Sequence, residues 1–367
     1  MFSVVKNGFF IIISIILFAI VISLIVREFK QKQIMNKSEE LVVNGGISEV
    51  EEIKIGGINQ SLLIEGADKS NPVCIFLHGG PGAPFPFGVS ARSLFPEITK
   101  SCTAVYYDQR GSGKSYVKNM DVSIMNMDQF VSDANEVVDF VRNKFNQEQI
   151  VVIGNSFGSI VGIELAHRYP EKIRAYIGLG QVTNVVEGQK HAYHWLQTEA
   201  SKKDDKKTLK ILEEIGGAPY FNEREAKLGD LLNKYPGYNY FDENTKKASI
   251  LGLIKGVFTS PDYSISDIYK TLISAPKFSI FDSKDLQEEI IKTNLFETVP
   301  EMKTSVYFIQ GKHDKVANYS LAKEYLDTLK TSGKKEFFTL ENSAHYPNEN
   351  DFKEFKKILV RILEEGN

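Results

Sequence analysis

Cysteine is scarce: Cys74 and Cys102 are the only two in 367 residues, too few for a disulfide framework. Each lies in an apolar run, where a small buried hydrophobe is expected. No Cys/His group has zinc-like spacing, so no metal site is expected. Positive charge is not in surplus either. Lys and Arg number 44 against 47 Asp and Glu, a formal charge of −3. That argues against a nucleic-acid binder, which usually shows a basic face. Internal repeats and low-complexity tracts are missing. What remains is ordinary for a globular protein, with 42% hydrophobic and 25% charged residues, enough for a sizeable core in one large domain or two smaller ones.

A phosphate-binding loop is missing as well, although part of one is spelled out. "DQRGSGKSY", Asp108 to Tyr116, contains a Gly-Lys-Ser. The full motif needs Gly five residues before the Gly-Lys pair, and that position is Asp108. A carboxylate there repels phosphate, and no helical period follows directly to supply an anion-binding N-terminus. Neither nucleotide nor nucleic acid is an expected partner.

One long hydrophobic run is present. "GFFIIISIILFAIVISLIV", Gly8 to Val26, carries no charge. As a helix its 19 residues span roughly 28 Å, close to a bilayer core. No small-x-small cleavage site follows, so the expectation is an uncleaved transmembrane anchor, with a cleaved signal peptide as the alternative. Lys6 precedes the run; Arg27, Lys30, Lys32 and Lys37 follow it. The positive-inside rule then favours a cytoplasmic position for the rest of the chain. The expected organisation is an anchor over 1–26, a polar linker over 27–45 ending in "NGG", a core in two parts over 46–182 and 301–367, and a helical cap over 183–300.

The core is read from its strands. "SEVEEIKI" and "INQSLLIEG", joined by Gly56-Gly57, form a hairpin pattern. "PVCIFL", "CTAVYY", "QIVVIG", "IRAYIGLG" and "TSVYFIQG" are short continuous apolar runs, several ending in Gly-rich turns. Such runs suit a parallel sheet covered on both faces. Helical stripes lie between them, as in "MDQFVSDANEVVDFVRNKF". Alternation of the two predicts a doubly wound α/β fold, whose sites gather at the carboxyl ends of strands. The segment 183–300 is polar and helical, without a clear strand.

Three stretches carry chemistry. Gly154-Asn155-Ser156-Phe157-Gly158 is a G-x-S-x-G between a strand and a helix, the context of a nucleophile elbow. A serine hydroxyl needs a base, and the order serine, acid, histidine points to Ser156, Asp314 in "FIQGKHDKV", and His345 in "ENSAHYPNEN". Asp282 and Asp285 are rival acids that follow no strand. His313, His191, His194 and His167 are weaker candidates for the base. "HGGPG", His78 to Gly82, suits the second half of an oxyanion hole. Its donor is Gly80, with Gly79 as the close alternative, alongside the Phe157 N–H; Pro81 has none to give. Asp108 and Arg110 are expected to form an ion-paired loop beneath that turn.

The motifs "NPVCIFLHGGPG", "VYYDQRGSGKS", "VVIGNSFGS", "GKHD" and "SAHYP" together resemble the α/β-hydrolase superfamily, and within it the prolyl aminopeptidase (proline iminopeptidase) branch of serine peptidases. The resemblance spans roughly residues 47–367 and is strong only in the core. It implies a mostly parallel eight-stranded sheet, a helical cap before the last strands, and no metal or organic cofactor. It implies Ser156 as nucleophile, Asp314 and His345 as acid and base, and the "HGGPG" turn with Phe157 as oxyanion donors. It also implies a cap carboxylate that binds a free amine, with Glu187, Glu199, Glu213 and Glu214 among the candidates. The elbow departs from the family in having Phe157 after the serine and Asn155 before it. Small peptide or amide bonds are the expected substrates. A carboxylesterase on the same core and a catalytically silent binding protein are the alternatives.

Overall fold

The computed structural model describes residues 2–246 and 250–365; residues 1, 247–249 and 366–367, which fall in the expected anchor, cap and second core part, lie outside it. Eight strands form one sheet: β1 (Ile47–Ile55), β2 (Ile58–Gly66), β3 (Val73–Leu77), β4 (Thr103–Asp108), β5 (Ile150–Asn155), β6 (Ile173–Leu179), β7 (Ser305–Gly311) and β8 (Lys335–Leu340). Their order across the sheet is β1-β2-β4-β3-β5-β6-β7-β8. The hairpin β1–β2 and the β2–β4 pair are antiparallel, and every other pair is parallel. From β3 the chain moves first to one side and then to the other, so a crevice opens between the ends of β3 and β5.

The continuous apolar strands are explained by what covers them. Ile75, Leu77, Val105 and Val152 face a cluster with Val137 and Val141 of the helix α2 (Met127–Phe145) and Val161 and Ile163 of α3 (Phe157–Arg168). Their neighbours Cys74, Phe76, Tyr106 and Val151 face the other way. Leu359, Ile362 and Leu363 of the C-terminal helix (Glu349–Glu365) cover that side. Strand residues alternate between two apolar environments, so no polar face is needed. Cys74 and Cys102 are free thiols within the second cluster.

Between β6 and β7 the chain makes a helical excursion. It includes α4 (Val185–Lys202), α5 (Lys206–Ile215), α6 (Asn222–Lys234), α7 (Ile250–Thr259) and α8 (Ile265–Tyr269). Its two ends are pinned together: Asn184 bridges Asn294, and Leu295 N–H donates to the Thr183 carbonyl at 2.7 Å. The first three helices share a small core of their own around Leu196, Leu212 and Leu231.

The N-terminal segment departs from expectation. A single helix, α1 (Phe2–Val43), contains the apolar run and continues through residues 27–43, which were expected to form a linker. Those residues have no Gly or Pro and find partners in the fold. Arg27 donates to the carbonyls of Phe258 (2.9 Å) and Tyr263 (2.6 Å), and Gln31 donates to that of Ser260 (2.8 Å). Arg92 clasps Asp262 through two bonds of 2.7 and 2.8 Å and donates to Ser38 at 2.8 Å. The helix ends only at Asn44-Gly45, where Gly45 has φ +92°. The apolar part of α1 is long and apolar enough to cross a bilayer and is not buried in the fold.

The Asp108 turn also differs from expectation. Arg110 pairs with Asp133 of α2, not with Asp108, through bonds of 2.8 and 2.9 Å, and both side chains are fully buried. Asp133 accepts further bonds from Gln60 and Gln129. Asp108 instead accepts from the N–H groups of Val89 and Lys114 and the hydroxyl of Tyr263. Removing one partner of a buried ion pair leaves the other charge without compensation. Asp133→Ala should therefore lower stability by about 3–5 kcal/mol, read as a fall in unfolding midpoint in a denaturant titration.

Candidate active site

Ser156 stands at the junction of β5 and α3. Its backbone adopts φ +52°, ψ −118°, a strained conformation held by Ser156 N–H donating to the Leu179 carbonyl at 3.0 Å. The flanking glycines leave no room for a side chain. A Cβ on Gly154 would lie 2.4 Å from the Gly158 carbonyl oxygen, and one on Gly158 would lie 2.1 Å from that of Leu77. The turn can therefore close only with glycine at both places. Ser156 is partly exposed as a result, and Phe157 opens α3, so its N–H has no partner within that helix.

Three of the residues singled out in the sequence are brought together. His345 Nε2 lies 2.9 Å from Ser156 Oγ, and His345 Nδ1 lies 2.9 Å from Asp314 Oδ2. Asp314 is fully buried at the turn after β7. Its carboxylate is saturated with donors: Gln310 Nε2 at 2.9 Å, and the N–H groups of Val316 and Ala317 at 2.8 and 3.0 Å. Such a carboxylate stays in place and holds the imidazole tautomer with its proton on Nδ1. Nε2 is then free to accept the serine proton.

The loop that carries His345 is braced independently. Asp351 accepts from Asn342 N–H and Ser343 Oγ, and His345 N–H donates to the Tyr238 carbonyl at 3.0 Å. Gly180 packs under the ring with φ +58°, and a Cβ there would lie 3.2 Å from His345 Cε1. Gly311 approaches the same loop, its Cβ position only 2.0 Å from the Ala344 carbonyl oxygen.

The "HGGPG" turn sits across from the serine. A Cβ on Gly79 would lie 3.2 Å from Ser156 Cβ, and Gly80 lines one cavity with Ser156 and Phe157. His78 is structural. It is buried, its Nδ1 bonds the Gly79 carbonyl at 2.7 Å, and its Nε2 accepts from Gln109 N–H at 3.1 Å. Burial lowers its pKa to about 4, so it stays neutral. Through Gln109 and Ser112 this ring ties the Asp108 turn to the "HGGPG" turn.

The remaining candidates lie elsewhere. Asp282, Asp285, His191 and His194 are exposed. His313 stacks on Tyr240, and His167 bonds the Glu301 carbonyl. Glu187 and Glu199 pair with Lys190 and Lys202, while Glu213 and Glu214 are exposed. The carboxylate that does reach the Ser156 cavity is Glu225 of α6, in "NEREAKLGD". Burial raises its pKa to about 6, and no hydrogen bond or ion pair holds it among the described residues. Lys315 lines the same cavity, its pKa lowered by burial. Nothing in the local sequence separated Glu225 from its many acidic neighbours.

A family model for the alpha/beta hydrolase fold matches residues 72–352. The chain belongs to the α/β-hydrolase family. It is 30% identical over 321 residues to the probable aminopeptidase YbaC of Bacillus subtilis (strain 168), covering 86% of this chain and 96% of that protein. It is 26% identical over 133 residues to a proline iminopeptidase of Thermoplasma volcanium, covering 36% of this chain and 42% of the relative. In three dimensions it resembles the proline iminopeptidase of Mycobacterium smegmatis, with a TM-score of 0.58 at 16% identity over 87% of this chain and 98% of the other. The family resemblance read from the motifs is thus borne out, and this α/β hydrolase is an enzyme of the hydrolase class.

Gly180 gives the site a test. A methyl group there strains a positive φ and presses on the imidazole. Gly180→Ala should slow labelling of the protein by a fluorophosphonate on the order of tenfold or more, as misplacement of catalytic groups does. In-gel fluorescence against time measures it.

Proposed function

We propose that this α/β hydrolase is a membrane-tethered serine aminopeptidase of small peptides or amides. The observation that carries the reading is the chain of two 2.9 Å contacts from Ser156 Oγ through His345 to Asp314. Ser156 attacks the substrate carbonyl as His345 Nε2 takes its proton. The oxyanion lies against the N–H groups of Phe157 and Gly80. His345 passes the proton to the leaving amine, and Asp314 stabilises the imidazolium in the interval. Water, deprotonated by the same imidazole, then releases the acyl group. The apolar run of α1 serves as the anchor, and the flanking charges favour the cytoplasmic side for the enzyme.

Glu225 supports the aminopeptidase half of the reading. A carboxylate without a protein partner, beside the nucleophile, suits a substrate ammonium group. The named relative, a probable aminopeptidase, points the same way.

Two measurements test this. Ser156→Ala should abolish both turnover and fluorophosphonate labelling; activity that survives with the label on another residue would sink the assignment. The second is a ratio. Alanyl and propionyl anilides differ in the amine, and both need His345, so its titration cancels between them. The alanyl preference should fall as pH drops through about 6, where Glu225 gains its proton and loses its attraction for the ammonium. A ratio of kcat/KM that stays flat from pH 5 to 8 would remove Glu225 from the amine site.

A further inference from the structure

Two cavities meet at the Ser156–His345 pair, and they differ in chemistry. The smaller, about 230 Å³, has Ser156, Phe157, Gly80, Glu225 and Lys315 on its wall. The larger, about 610 Å³, has His345 and Asn155 on its wall and is otherwise mostly apolar, with Phe85, Phe95, Phe352 and Phe355 among its aromatic residues. Tyr238 lines both. The geometry points to the larger cavity as the site of a long hydrocarbon leaving group, taken from a membrane-resident aminoacyl amide or ester. This inference rests on the serine aminopeptidase reading above and deepens it.

The direction of the reaction assigns the two halves of the substrate. The acyl carbon must lie at Ser156 and the oxyanion donors, with its ammonium toward Glu225. The leaving group must lie where His345 Nε2 can protonate it, so it extends to the imidazole side, which is the wall of the larger cavity. A short polar leaving group would leave that volume unused. An alkyl chain gains about 0.8 kcal/mol for each methylene it buries, about fourfold in binding. The balance is simple: one water is consumed, the acyl C–N or C–O bond breaks, the amino acid keeps the hydroxyl, and the amine or alcohol departs with the proton.

The position of α1 supplies the source. Leu94, on the wall of the larger cavity, is 45% exposed. Its neighbour Ser93 donates to the Ile34 carbonyl of α1 at 3.5 Å. Gly252, also on that wall, belongs to α7, and α7 packs against α1. Ile34 lies only seven residues past Arg27 along the helix, roughly 10 Å from the end of the apolar run. Beyond Tyr263, which holds Arg27, the cap exposes Ile265, Tyr269 and Ile273 at four-residue spacing on one stripe. The wall of the cavity and an apolar face of the cap thus both adjoin the exit of α1, at the level of the headgroups. A chain resting in the bilayer reaches the larger cavity from there.

The test uses the full chain in phosphatidylcholine vesicles and alanyl amides of n-alkylamines from methyl to dodecyl, with alanine release as the readout. kcat/KM should climb at least thirtyfold between the methyl and octyl amides and then level off as the cavity fills. Longer chains also partition into the vesicles, so Leu94→Asp and Leu94→Trp are measured in the same vesicles, where partitioning is unchanged. Each should cut the octyl-to-methyl ratio about tenfold or more. A flat series, with Ser156-dependent hydrolysis of the methyl amide intact, overturns the hydrocarbon site and leaves the peptidase reading standing. A chain-length dependence unaltered in both Leu94 variants also overturns it. Failure to hydrolyse any member of the series, together with no fluorophosphonate labelling of Ser156, overturns the reading on which it rests.

Discussion

His345 is held by two bonds at opposite edges of its ring, and each leads to the end of a different strand. Nδ1 meets Asp314 after β7, and Nε2 meets Ser156 after β5. Because the imidazole is rigid, those two bonds set the distance between the strand ends within a narrow range. Much of the surrounding structure answers to that requirement. Gln310 donates to Asp314 and accepts from Gln181 N–H, so the β6 and β7 ends are bonded through one side-chain amide. Gly180 and Gly311 are small because the ring and its loop pass where a Cβ would stand. A mobile imidazole would lose either its tautomer or its reach, and a fixed one keeps both.

Beneath the opposite turn the polar groups are buried and neutralised in a different way. His78 has no acidic partner, so burial keeps it neutral, and it serves as a two-ended hydrogen-bonding strut between Gly79 and Gln109. Asp108 is raised to about 6 by burial, yet three donors converge on it. Arg110 reaches away to α2 and the Gly56 carbonyl. The "DQRGSGKSY" turn is thus a junction of three connections: to the "HGGPG" turn, to the cap through Tyr263, and to α2. Its glycines serve close packing. A Cβ on Gly113 would fall 2.1 Å from an Asp108 oxygen.

The legible parts of the fold were those with local signatures. Apolar strands ending in glycine, the stripe on α2 and the G-x-S-x-G context each report on a few neighbouring residues, and the sheet follows from them. Asp314 and His345 were legible because chain order and strand ends restrict the choice. Glu225 was not, since its distinction is a position in a cavity wall and its neighbours in sequence are equally acidic. The partner of Arg110 was invisible for the same reason: Asp133 is 23 residues away, and proximity in sequence favoured Asp108. Residues 27–43 are helical where a linker was expected, because their polarity serves contacts with the fold and not exposure. Arg27, Gln31 and Ser38 are polar and bonded to groups more than ten residues distant or to Arg92, so they hold a helix against the fold.

That last correction alters what the N-terminal charges mean. Arg27 counts toward the positive-inside asymmetry, yet its guanidinium is also committed to two cap carbonyls. A charge with a structural task is required on whichever side the enzyme stands. The positive-inside asymmetry then rests on Lys30, Lys32 and Lys37. A continuous helix also transmits geometry as a flexible tether cannot. The residue that ends the apolar run is one residue from a side chain bonded to the cap, so the depth and rotation of α1 are coupled to the placement of α7 and of the cavity beside it. Under the proposed membrane tethering, hydrolysis by this site is for that reason a reaction at a surface, with α1 helping to decide which part of the enzyme the surface meets.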